Sequence, residues 1–121
     1  MKIALLSTQN SEILGHIINK FIEYDIDIDS IIFDSVIPDE SRLQRWNERT
    51  NGKIPFIPMG KFENSFIPCF YFENHSSGIT ESFVKNNEID ILINAGTPRI
   101  LKANLLNAPS IGIINLSLIH I

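Results

Sequence analysis

Three short segments of the chain set polar side chains directly after an apolar run, where a strand would end. They are residues 7–11 (Ser-Thr-Gln-Asn-Ser), residues 96–101 (Gly-Thr-Pro-Arg-Ile-Leu), and the chain from Asn115 onward. Open parallel sheets bind ligands outside the carboxyl ends of their strands, so hydroxyls and amides placed there can hold a polar substrate. The first segment contains no glycine. That excludes a G-x-G-x-x-G dinucleotide turn and a phosphate-binding P-loop. It suits a polar turn with a helix cap, or a binding edge for a polar substrate.

Other residue clusters have simpler explanations. Asp25, Asp27 and Asp29 alternate with Ile26 and Ile28. A period of two puts the three carboxylates on one solvated strand face, so no metal site is expected. Arg42, Arg45 and Arg49 share one helical stripe and are suited to phosphates. Glu40 and Glu48 lie near enough to pair with them, which predicts an ordinary ion-paired surface. Trp46 serves best as the anchor of that helix, with a stacking platform for a base as the alternative. Cys69 falls in a predicted buried strand, which makes it an inert core thiol rather than a nucleophile. His75 sits at a strand end facing the binding edge, where it could contact substrate. His16 lies beside an apolar stripe and reads as structural.

The elements that must position these residues follow from pattern. Residues 2–7 are nearly all apolar, as expected of a strand buried on both faces. Ile13, Leu14, Ile17, Ile18, Phe21 and Ile22 then repeat at helical spacing, behind a cap at Asn10 or Ser11. Residues 26–36 predict a second strand. Pro38 and Asp39 open a second helix that ends near Gly52. It is poor in apolar residues and must lie on the surface. Residues 53–68 predict an irregular segment, either a lid on the substrate side or a loose cover over the sheet. Strands follow at 68–72, 89–95 and 112–116. Between them come a helix capped by Ser77, with Ile79 and Phe83 on one face, and a short helix at 102–107. The alternation predicts an α/β fold: a Rossmann-like parallel sheet with flanking helices.

Composition bounds the rest. A chain of 121 residues with 44% hydrophobic residues can build one modest core. Its net charge of -4 argues against broad electrostatic binding to nucleic acid. The single cysteine, Cys69, precludes an intrachain disulfide. No apolar run approaches spanning length. These features together predict a cytoplasmic protein without a membrane partner.

Residues 88–101 read Glu-Ile-Asp-Ile-Leu-Ile-Asn-Ala-Gly-Thr-Pro-Arg-Ile-Leu. Residues 105–109 read Leu-Leu-Asn-Ala-Pro, and residues 112–116 read Gly-Ile-Ile-Asn-Leu. In this order and spacing, the pieces resemble the amino-terminal domain of folate-dependent formyltransferases. That family passes a formyl group from 10-formyltetrahydrofolate to an amine on methionyl-tRNA, glycinamide ribonucleotide or a nucleotide-linked amino sugar. The resemblance implies that Asn115 is the catalytic amide, donating to the oxyanion of a tetrahedral intermediate. It implies that Arg99, Ile100 and Leu101 line the folate pocket, largely through backbone groups. The missing glycine turn favours an aminoacyl-tRNA or nucleotide-linked amino sugar as acceptor over the ribonucleotide.

The pattern breaks after Leu116. The family continues with His-x-Ser-Leu-Leu-Pro, and this chain has Ser117-Leu-Ile-His-Ile. Ser117 stands in the place of the family's His, and His120 has the wrong spacing to replace it. On this basis residues 1–116 are expected to form a partial formyltransferase-like domain and residues 117–121 a non-native tail. Such a chain would lack activity, and its uncovered sheet edge would promote self-association. The alternative is a non-catalytic Rossmann-like binding module. A nicotinamide dehydrogenase is disfavoured by the missing glycines.

Overall fold

The computed structural model describes residues 1–37 and 39–116. The expected helix start at Pro38 and the expected tail at 117–121 lie outside the described residues. Five strands form one sheet: β1 (Ile3–Thr8), β2 (Ser30–Asp34), β3 (Cys69–Phe72), β4 (Ile91–Asn94) and β5 (Gly112–Asn115). Their order is β3-β2-β1-β4-β5, and all four pairings are parallel. The fold is therefore an α/β, Rossmann-like sheet. β1 is central, with Leu5 opposite Ile31 on one side and Ile93 on the other.

The continuous apolar run of β1 now has its reason. Leu5 belongs to a cluster with Leu14, Ile18, Ile31, Phe33 and Ile93 on one face of the sheet. Ala4 and Leu6 belong to a second cluster on the other face, with Ile32, Val84, Leu92 and Leu105. Helix α1 (Leu14–Glu23) covers the first face, while α3 (Gly78–Asn86) and α4 (Ala103–Leu106) cover the second. Helix α2 (Glu40–Arg49) buries no residue. Its surface position matches its sparse apolar content. Among the described residues, no helix is long and apolar enough to cross a membrane.

Several expectations need correction. α1 starts at Leu14 with no side-chain cap, because the Ser11 hydroxyl donates to the Ala95 carbonyl at 3.1 Å instead. β2 is shorter than the apolar run that contains it: only Ser30–Asp34 pairs, and Ile26 and Val36 are exposed. On α3 the buried residues are Thr80 and Val84. Ile79 is exposed, and Phe83 instead meets the rings of Phe70 and Phe72. Residues 53–68 are no loose cover. They contain a 3₁₀ turn, Met59–Ser65, whose Phe62 is buried in the first core cluster beside Ile57, Met59 and Ile67. Cys69 lies on the edge strand β3 and is exposed, so it is not a core thiol.

Gly15 shows how closely this segment approaches α1. A methyl group there would meet Ile57 Cβ at 2.5 Å and its carbonyl oxygen at 2.8 Å. No other residue fits without displacing backbone.

Candidate functional site

The chain leaves β1 toward β2 on one side, and β4 and β5 add on the other. The order therefore reverses between β1 and β4, where such sheets open a crevice for ligands. The carboxyl ends of these two strands are tied together by side chains. Ser7 Oγ donates to the Ala95 carbonyl at 2.7 Å, beside the Ser11 bond to the same oxygen. Gly96 follows with φ of 102°, and a Cβ there would meet Ser11 Oγ at 2.7 Å. Only glycine combines that backbone with that contact. The first polar segment thus braces the crevice floor. Thr8 Oγ1 remains buried without a hydrogen-bond partner among the described residues.

Asn94 and Asn115 end the neighbouring strands β4 and β5, paired in register. The Asn94 amide oxygen accepts from the backbone N–H groups of Gly96 at 3.2 Å and Thr97 at 3.0 Å. Its NH₂ group therefore faces Asn115, and donates to Asn115 Oδ1 at 2.9 Å. That fixes the Asn115 amide with its oxygen engaged. Among the described residues, no hydrogen bond uses its Nδ2. Asn115 is thus an oriented donor at the carboxyl end of its strand. Together with Leu116, Asn94, Gly96 and Thr97 it lines a cleft of about 630 Å³ whose opposite wall is α2.

Arg99, Ile100 and Leu101 lie in the turn after β4 and do not line this cleft. The Arg99 guanidinium is engaged with Asp34 at the end of β2: Nε to one carboxylate oxygen at 2.9 Å, and an Nη to the other at 3.0 Å. Ile100 is 86% exposed, and its carbonyl accepts from the Ser76 hydroxyl at 3.1 Å. Leu101 packs against the second core cluster. The folate-lining residues expected from the resemblance and the amide of Asn115 therefore occupy neighbouring but separate positions along the strand ends.

Sequence pattern missed the centre of this network. The Asp34 side chain is fully buried. It accepts from the backbone N–H of Val36 at 3.0 Å and of His75 at 2.8 Å. Burial pushes its carboxyl up, but Arg99 and these two N–H groups outweigh burial and hold it below the usual carboxylate range. His75 is fully buried too, not a residue free at the binding edge. Its Nε2 lies 2.8 Å from the Ile32 carbonyl, which can only accept. Nε2 therefore carries the proton, and Nδ1 accepts from the Thr97 hydroxyl at 2.6 Å. A strand-ending Asp is the one signal in the sequence that could have pointed here.

Burial lowers the His75 pKa, assisted by the nearby Arg99 cation and opposed by the Ile32 carbonyl and Asp34. The neutral ring is the folded form, whereas the unfolded chain protonates near the usual value of 6.5. Folding then excludes a proton, so this contribution is complete above about pH 6.5 and is lost as pH falls toward the lowered folded value. Stability should drop on acidification with a slope on the order of 1.4 kcal/mol per pH unit, before carboxylates titrate. Urea unfolding between about pH 5 and pH 7.5 measures it. A flat profile across that window would contradict a neutral buried His75.

The other singled-out residues distribute simply. His16 Nε2 lies 2.6 Å from the Pro55 carbonyl, a structural tie. Trp46 Nε1 donates to the Ile54 carbonyl at 2.8 Å, which anchors α2 as expected. The arginine stripe is not paired as expected. Arg42 reaches back to Glu12 Oε1 at 3.0 Å rather than to Glu40 or Glu48. Arg45 donates to the Ser41 hydroxyl, and no described hydrogen bond or ion pair holds Arg49. Among the described residues, no group of three His, Cys, Asp or Glu side chains is placed to hold a metal ion.

Fold and site define a class: a parallel α/β domain with a polar crevice at its switch point and an oriented amide beside it. Comparison with protein-family models and with curated proteins gives no match.

Proposed function

We propose that this chain carries the formyl-transfer half of a folate-dependent enzyme, a cytosolic transferase moving a formyl group from 10-formyltetrahydrofolate to an amine. The observation that carries the proposal is the Asn115 amide, with its oxygen held by Asn94 and its NH₂ group without a hydrogen bond among the described residues. A formyl carbon attacked by an amine becomes tetrahedral, and its oxygen gains negative charge. A pre-oriented N–H donor stabilises that oxygen more than it stabilises the starting carbonyl, which lowers the barrier. The resemblance of residues 88–116 to formyltransferases supports the same assignment. Arg99, Ile100 and Leu101 would meet the pterin through the backbone of the turn that Asp34 holds in place.

Ser117 stands where the family places its His, which supports a second reading of the 121-residue chain: it binds the ligand without turning it over. The test is formyl transfer to a panel of amines, followed by release of tetrahydrofolate. Two proteins are compared, the chain as it stands and a longer one that reads His-x-Ser-Leu-Leu-Pro from position 117. Transfer by the longer chain alone is expected. Transfer by neither would leave only the binding module.

A further inference from the structure

Strand β3 ends the sheet on one side, and its residues Cys69–Phe72 form an aromatic run without charge, proline or glycine. Proteins normally guard such an edge with a lysine, a proline, a bulge or a covering loop, because its open backbone groups invite another strand. The direction of those groups follows from one bond. The Ile31 N–H donates to the Pro68 carbonyl at 2.9 Å. Alternation then turns residues 68, 70 and 72 toward β2, and leaves the N–H and C=O groups of Cys69 and Tyr71 facing outward.

Both faces of this edge are apolar and open. On one face Phe70, 38% exposed, lies against Phe83. On the other, Tyr71 stacks on Phe33 yet is 62% exposed, and with Cys69 and Phe66 it lines a groove of about 270 Å³. Phe66 is the odd residue. Its φ of 52° is left-handed, a conformation that bulky residues rarely adopt, and it is 86% exposed. An unfavourable backbone conformation therefore presents an aromatic ring to solvent beside an open strand.

From this arrangement we infer that β3 pairs with β3 of a second copy of the chain, antiparallel about a two-fold axis at Phe70, to give one ten-stranded sheet. The outward groups set that register. Cys69 of one protomer and Tyr71 of its partner exchange two hydrogen bonds, and the symmetry repeats them. Phe70 meets its own copy in the close, non-hydrogen-bonded pair between them, and Tyr71 of the partner, opposite Cys69, closes the groove that Phe66 lines. A second copy is favoured over a foreign strand on two grounds. Outward-facing residues on either side of Phe70 make a pattern that is its own complement under a two-fold axis, and no charge in Cys69–Phe72 repels its copy. The area also suffices. At about 150–250 Å² for an aromatic side chain, Phe66, Phe70 and Tyr71 expose roughly 300–450 Å² per protomer. Both protomers, with the strand backbone, reach about 1,000 Å², the lower bound of a specific interface. Such an interface forms a weak dimer that depends on concentration.

Sedimentation of the full chain from micromolar to millimolar concentration should show a monomer–dimer equilibrium. Cys69 is the single cysteine, so a thiol cross-link reports this edge alone. In the inferred register the two Cys69 Cα atoms stand about 9 Å apart, beyond the roughly 7 Å limit of a disulfide. A bismaleimide with a two-carbon spacer should therefore cross-link the dimer, whereas mild oxidation should not. Phe66→Gly should raise the dimer Kd at least about tenfold without loss of thermal stability, because glycine accepts the left-handed backbone. Cys69→Lys, which sets a charge on the edge, should leave a folded monomer at every concentration. A parent chain that stays monomeric overturns the pairing, and so does an unaltered Kd in Phe66→Gly or Cys69→Lys. A dimer whose cysteines do not cross-link overturns the choice of edge, since pairing through β5 would part them by about 40 Å. Disulfide formation on oxidation overturns the register.

Discussion

Asp34→Ala should destabilise the protein by about 3 kcal/mol, measured by urea unfolding at neutral pH. Three groups lose their acceptor at once: the Arg99 guanidinium and the backbone N–H groups of Val36 and His75. Removing one partner of a buried ion pair costs about 3–5 kcal/mol, chiefly because the other partner is stranded. The lower end applies here, since the Arg99 side chain is 29% exposed and can recover water. The His75 N–H cannot, because its residue is fully buried. Asp34→Asn keeps the size and one acceptor oxygen, and should recover part of the loss. Arg99→Ala should cost less than Asp34→Ala, because the carboxylate keeps its two N–H donors. Equal stability of Asp34→Ala and the parent chain would mean that this network adds nothing to folding.

In a chain competent for formyl transfer, Asn115→Ala should lower kcat by about 10²–10³-fold with little change in KM. The oriented amide donates most strongly to charge that exists only in the transition state. Its loss therefore falls on turnover rather than on ground-state binding. Asn115→Asp is a sharper control. It keeps the shape, and its carboxylate repels the developing oxyanion, so activity should fall at least as far. A rise in KM at constant kcat would make Asn115 a substrate-binding residue and remove the oxyanion role. Asn94→Ala should act on the same parameter less severely, because it leaves the donor present but unaimed.

The frame of this fold was legible in the sequence because burial on both faces writes itself as continuous apolar runs. The runs at 2–7 and 89–95 read as strands, and the paired strands Ile3–Thr8 and Ile91–Asn94 fall on them, shifted or trimmed at the ends, while α1 announces itself by spacing. Length was misjudged where an apolar run outlasts its pairing partner, as at Ile26 and Val36. The misplaced cap at Ser11 and the misplaced face at Ile79 share one cause: a local rule yielded to a tertiary contact. Cys69 was misread because a strand's position in the sheet, edge or centre, is not encoded in its own residues.

The site was legible only in part. Asn115 stands out by its flanking pattern. Asp34, His75 and Thr97 come from three separate turns, and nothing local marks them as partners. The same holds for Glu12 and Arg42, 30 positions apart, whose pairing overrode the nearer carboxylates. Polar networks between strand ends are assembled by topology, and sequence spacing says little about them.

The bonds around Asp34 have one more consequence. The apolar clusters that hold the sheet together contain none of Asp34, His75, Thr97 and Arg99. The sheet interior is thus secured by apolar burial, and the strand-end turns, apart from the packing of Leu101, by a compact set of polar bonds. Such a division permits subglobal opening, in which the turns release as a unit while the strands stay paired. The amide protons of Val36 and His75 would then exchange with solvent through partial opening, and those at the centre of β1 only through complete unfolding.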